Sequence, residues 1–185
     1  MTCIMAIETS DGNVVIGGDY LGSNGFTKGL YSVPKIFRHS NMIFGYTSTF
    51  RFGQIIEHIL DDNTLYPPAN SDSTYEWLVK SFIPKLKKVL KDEEYNSGGN
   101  ALLVVNNQLW ELQNDFSVLR AEMGVASVGS GEYHAVSSIL SQMLVMYNGN
   151  LPTTEEAKDI IKVAFDVVST CVTSVSSKHN ILTYN

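Results

Sequence analysis

The chain has 185 residues, a formal net charge of −6 and a pI of about 5.1. That length suits one domain with a real core, and that charge argues against nucleic acid as a main partner. Two cysteines, Cys3 and Cys171, lack CxxC spacing, which excludes a disulfide scaffold or zinc site. No apolar run nears bilayer-spanning length, and no basic segment with an apolar core opens the chain. The expectation is a cytoplasmic protein without signal or membrane anchor, a single domain over residues 1–185.

The first third reads as β. "TCIMAIET" and "NVVIGGD" flank "SDGN", a strong hairpin turn. A Gly/Asn-rich connection, "YLGSNGFTKG", leads to two more strands, "SVPKIFRHS" and "NMIFGYTS". Residues 49–62 place Phe52, Ile55, Ile56, Ile59 and Leu60 on one helical face. After the breaker "YPPANSDS", residues 74–91 carry Tyr75, Leu78, Val79, Phe82, Leu86, Val89 and Leu90 at helical spacing. Pro84 should kink that helix. This helix also holds the chain's one basic run, "KLKKVLK".

A second β block follows the loop "NSGGN": "ALLVVNN", "QLWELQN" and "GVASVG". Next comes a helix from near Ser130, with Val136, Ile139, Leu140, Met143 and Leu144 as its stripe. Another begins at Thr153, where Glu156 completes a capping box. Its stripe is Ala157, Ile160, Ile161, Ala164 and Val168, and "HNILTY" is a last strand. Strands clustered in hairpins and helices in pairs predict an α+β fold. Two mainly antiparallel sheets between helix pairs make a four-layer α/β/β/α sandwich.

Taken singly, the polar residues are ambiguous. Lys35 shares a strand face with Val33 and Phe37, so it is an edge gatekeeper or a buried cation that needs a partner. Asp19 follows two glycines and could simply open a turn. Ser130 and His134 are one helical turn apart, but "VGSGE" is not a nucleophile elbow. His39, His58, His134 and His179 show no metal-ligand spacing, and "GSNG" and "GSG" lack the lysine of a phosphate loop. No metal and no cofactor is expected.

Together, Thr2, Asp19 and Lys35 resemble the catalytic constellation of the proteasome β-type N-terminal-nucleophile hydrolases, including the bacterial proteasome-like peptidases. "TCIMAIETSDGNVVIGGD", "VPKIFRHSNMIFGYTS" and "VASVGSGEYHAVSSIL" resemble three stretches of that family, and the element order agrees. The resemblance implies a threonine peptidase that degrades unfolded polypeptide inside a homo-oligomeric ring, single or stacked in pairs, fed by an ATP-dependent unfoldase. It implies that Met1 is trimmed without a propeptide. Thr2 would then supply both the hydroxyl nucleophile and, through its α-amine, the base. An α-amine of pKa about 7.7–8.0 can take that proton near working pH. Lys35 would lower the hydroxyl's proton affinity, Asp19 would hold Lys35, and Ser130 would bond near the amine. Ser130 could also cap the following helix. Ser48 or Thr49 would supply the oxyanion N–H.

Two features depart from the family pattern. "YTSTF" stands where the family carries small glycine-type residues. In "DVVSTCVTSVSS", Thr170 or Thr173 stands where an acid is usual, with Asp166 about a turn away. These departures keep a rival expectation open: an inactive proteasome-fold ring protein with a structural or assembly role.

Overall fold

The computed structural model describes residues 2–24, 26–60, 67–69 and 71–185. Met1 and the last two residues of the helix expected over 49–62 lie outside them. Two antiparallel sheets dominate. One has the order β10-β1-β2-β11, from Val125–Gly129, Cys3–Glu8, Val14–Asp19 and His179–Tyr184. The other has the order β5-β6-β7-β8-β9, from Ile36–His39, Met42–Tyr46, Ala101–Val105, Gln108–Leu112 and Val118–Leu119.

Strand alternation explains the layers. On β1, Cys3, Met5 and Ile7 pack against α4 (Glu132–Tyr147) and α5 (Thr154–Cys171). Ile4 and Ala6 point the other way, into a core between the sheets with Ile16, Ile36, Ile43 and Val104. On β6, Ile43 joins that central core. Met42, Phe44 and Tyr46 pack outward under α1 (Phe50–His58) and α3 (Ile83–Asp92). Three apolar layers therefore separate four layers of backbone, as the sequence pattern predicts.

Four details differ from the expectation. The Gly/Asn-rich connection holds a small hairpin, β3 (Leu21–Ser23) and β4 (Lys28–Leu30), too short and polar to announce itself. β9 is two residues long and equally silent. The helix with Pro84 runs as α2 (Thr74–Trp77), a π turn (Leu78–Phe82) and α3, with proline in the first turn of α3. The missing proline N–H is thus met by a wider turn just before it. On α4 the buried stripe is Ala135, Ile139 and Met143, while Leu144 is exposed.

Candidate active site

Register builds the site at one end of the sandwich. Ile4 pairs with Gly18 and Cys3 with Gly129. Thr2 therefore enters β1 between the end of β2, at Asp19, and the end of β10, at Gly129. Gly129 has φ +104, and a Cβ there would lie 2.2 Å from the Thr2 carbonyl oxygen. Only glycine suits both that φ and that approach. The second sheet contributes the start of β5, where Lys35 precedes Ile36, and the end of β6, which leads into Thr47, Ser48 and Thr49. The Tyr46 amide donates to the Lys35 carbonyl at 3.0 Å and fixes the two strand ends together.

Thr2, Lys35, Ser48 and Thr49 line one cleft of about 90 Å³, walled by Leu21, Tyr46 and Phe50. Lys35 is 2 % exposed and Asp19 fully buried, so Lys35 is not an edge gatekeeper. Lys35 Nζ donates to Asp19 Oδ1 at 2.8 Å and also to the Leu21 carbonyl. Asp19 does not open a turn either. Besides Lys35 it accepts from the backbone amides of Cys3 at 3.0 Å, Leu21 at 3.1 Å and Ser176 at 3.4 Å. Four donors satisfy this carboxylate, which makes a buried cation beside it tolerable. Burial still pulls the Lys35 ammonium below its ordinary range, and the Asp19 charge opposes that pull.

Ser130 Oγ donates to the Thr2 carbonyl at 3.3 Å and lies 2.9 Å from Ser174 Oγ. It is not the cap of α4, whose N-cap is Gly131. Ser174 is buried, and the sequence reading missed it. It follows α5 on an irregular segment with no motif of its own, although its run of Ser and Thr was the available signal. Asp166 is exposed on α5, where its carbonyl accepts from Thr170 Oγ1 at 2.9 Å, and Thr173 is exposed after the helix. Among the described residues, Ser130 bonds to the Thr2 carbonyl and to Ser174, and no carboxylate bonds to either serine. Ser48 has φ +76, so this non-glycine residue adopts the left-handed backbone that a glycine would take freely. Thr49 is extended and caps α1, its Oγ1 accepting from the Phe52 amide at 3.2 Å.

The remaining candidates sit elsewhere. His134 is exposed on α4, away from any hydrogen bond to Ser130. Cys3 is fully buried, and burial pushes its thiol up to about 12. Among the described residues, no group of three or more His, Cys, Asp or Glu could hold a metal ion. Likewise, no helix there is long and apolar enough to cross a membrane.

No protein-family profile and no curated protein matches the sequence. Solved structures do match the fold. BPH from Thiobacillus denitrificans superposes with a TM-score of 0.77 at 15% identity, over 98% of this chain and 97% of that one. The same protein in complex with epoxomicin gives 0.77 at 15% identity, over 97% of each chain. HslV from Trypanosoma brucei gives 0.66 at 15% identity, over 98% of each chain. At this identity the likeness speaks for the fold alone, and the fold of this chain is that of the proteasome-like N-terminal-nucleophile hydrolases.

Proposed function

We propose that the chain is a threonine peptidase of the proteasome β type, active once Met1 is removed. The observation that carries this reading is Lys35 on the wall of the cleft that Thr2 lines, held from behind by the buried Asp19. A buried ion pair is weak support for stability, and replacing it with apolar residues is often neutral. A buried cation kept on the wall of a cleft that Thr2 also lines fits a catalytic role better than a structural one.

The geometry supports the following roles. The Thr2 α-amine takes the proton from Thr2 Oγ, which attacks the peptide carbonyl. An ammonium has three N–H donors, and Lys35 spends two on Asp19 and Leu21, which leaves one for the cleft. Its charge favours the alkoxide as it forms. Ser130, steadied by Ser174, holds the Thr2 carbonyl and so the position of the amine. The left-handed Ser48 turns the backbone at the cleft rim, where the Ser48 or Thr49 amide would meet the oxyanion. The amine then returns its proton to the leaving group, and water resolves the acyl-enzyme.

The substrate would be unfolded polypeptide entering a ring of identical subunits, cytoplasmic and fed by a separate ATP-driven unfoldase. Thr170 and Thr173, where the family resemblance implies an acid, favour the second reading, an inactive ring component. A panel of fluorogenic peptides decides between them. Cleavage by the Met1-free chain, lost in Thr2→Ala, supports the peptidase. Epoxomicin binds the Thiobacillus relative and should block that cleavage here. A correctly folded, Met1-free chain that cleaves nothing, with or without an unfoldase, supports the inactive component.

A further inference from the structure

The basic run on α3 has no part in the proposed site. It carries Lys85, Lys87, Lys88 and Lys91 within one helix of a chain whose net charge is −6. Three lysines on other helical turns are paired: Lys80, Lys158 and Lys162 lie 2.5, 2.6 and 2.9 Å from helical carboxylates. Among the described residues, none of the four on α3 forms an ion pair. Lys91 stands in the last turn, where a cation suits the helix dipole anyway. Lys87 and Lys88, a turn earlier, have no such explanation.

These lysines border a groove. Lys87, Lys88 and Lys91 line a concavity of about 420 Å³ together with the half-buried rings of Tyr95 and Phe116, while Leu90 at its base is buried in the core. Phe116 has φ +72, an uncommon backbone for an aromatic residue. That turn sets its ring 5.3 Å from Lys87 Nζ. Nearby acids are engaged or set apart. Glu93 pairs with Arg51 at 2.5 Å, Asp115 accepts from the Ser117 amide at 2.8 Å, and Asp92 and Glu94 do not line the groove.

We infer that this groove docks a short acidic segment of a partner protein, with one apolar side chain seated on Tyr95 and Phe116 and carboxylates on the three lysines. Charge complementarity selects the occupant. A long polyanion or an anionic membrane would also meet the acidic remainder of the surface, whereas a short peptide meets only the groove. The inference is independent of the proposed peptidase activity.

The test uses the full chain and a fluorescein-labelled peptide of Asp and Glu around one central leucine, followed by anisotropy. Saturable binding is expected, weakened by salt, because screening length falls from about 10 Å at 0.1 M to about 3 Å at 1 M. Alanine in place of the peptide leucine should weaken it, as should Phe116→Ala. The exposed triple change K87E/K88E/K91E should weaken it by about tenfold or more, with the thermal midpoint of the fold as control. Should Phe116→Ala fail to fold, the lysine variant decides alone. Absence of saturable binding, undiminished binding by the lysine variant, or tighter binding of a single-stranded oligonucleotide or a phosphatidylserine vesicle would each overturn the inference.

Discussion

At the scale of single residues, the proposed chemistry rests on Lys35. Lys35→Ala should abolish peptide cleavage and destabilise the fold by about 3–5 kcal/mol, as for a broken buried pair. The lower end is expected, because three backbone amides still hold Asp19. Urea midpoints measure this, and a shift within about 0.5 kcal/mol would mean that the pair is not energetically buried. The two thiols should behave oppositely. At mild alkaline pH the exposed Cys171 should react with a thiol reagent and Cys3 should not, until the protein unfolds. Because burial raises the Cys3 pKa from 9.0 to about 12, the folded state holds this proton longer than the unfolded state. Its contribution to stability is therefore full below about pH 9 and is lost as pH climbs toward 12. A Cys3→Ala variant should show a shallower alkaline loss, read from denaturation midpoints across that range. Thr2, Asp19 and Lys35 were legible as types at a spacing, but the burial that separates cation from gatekeeper was not. It depends on β2 and β5 meeting from different sheets, which no local pattern encodes. Ser174 was illegible for the same reason, since its partner Ser130 lies 44 residues away.

At the scale of elements, long periodic segments were readable and short or irregular ones were not. The capping box of α5 is present as read: the Thr153 amide and hydroxyl both donate to Glu156 Oε2, at 2.8 and 2.7 Å. Thr154 Oγ1 adds a bond to Asp11 Oδ1 at 2.9 Å, which ties the helix start to the β1–β2 turn. Thr153→Ala should cost about 1 kcal/mol, measured by urea denaturation, with cleavage unchanged. A full loss of the fold would show that this corner does more than cap a helix. The β3–β4 hairpin escaped notice because a three-residue strand with glycine at its centre has no periodicity to detect. On α4, sequence spacing alone could not distinguish the buried Ile139 and Met143 from the exposed Leu144, because the helix is apolar on more than one side.

At the scale of the whole molecule, that surplus is an assembly signal. Tyr133, Leu144, Val145 and Met146 on α4, with Val163 and Val167 on α5, are all exposed. Apolar patches of this kind mark interaction surfaces. A homo-oligomer is expected by light scattering, and the double change Leu144→Glu with Val145→Glu should shift it toward smaller species. A stable monomer at micromolar concentration would contradict the ring. The layer order, both sheets and the pairing of helices were readable because the long strands are near-continuous apolar runs set in hairpins, buried on both faces between helical stripes. The proposed chemistry needs a free amine on Thr2, since an amide nitrogen there cannot serve as a base. The most direct measurement is the rate of peptide cleavage against the fraction of chains lacking Met1, read by intact mass on the same preparations. The account predicts a straight line through zero for the wild type and no cleavage at any fraction for Thr2→Ala. Cleavage by chains that all retain Met1, or by Thr2→Ala, would contradict it.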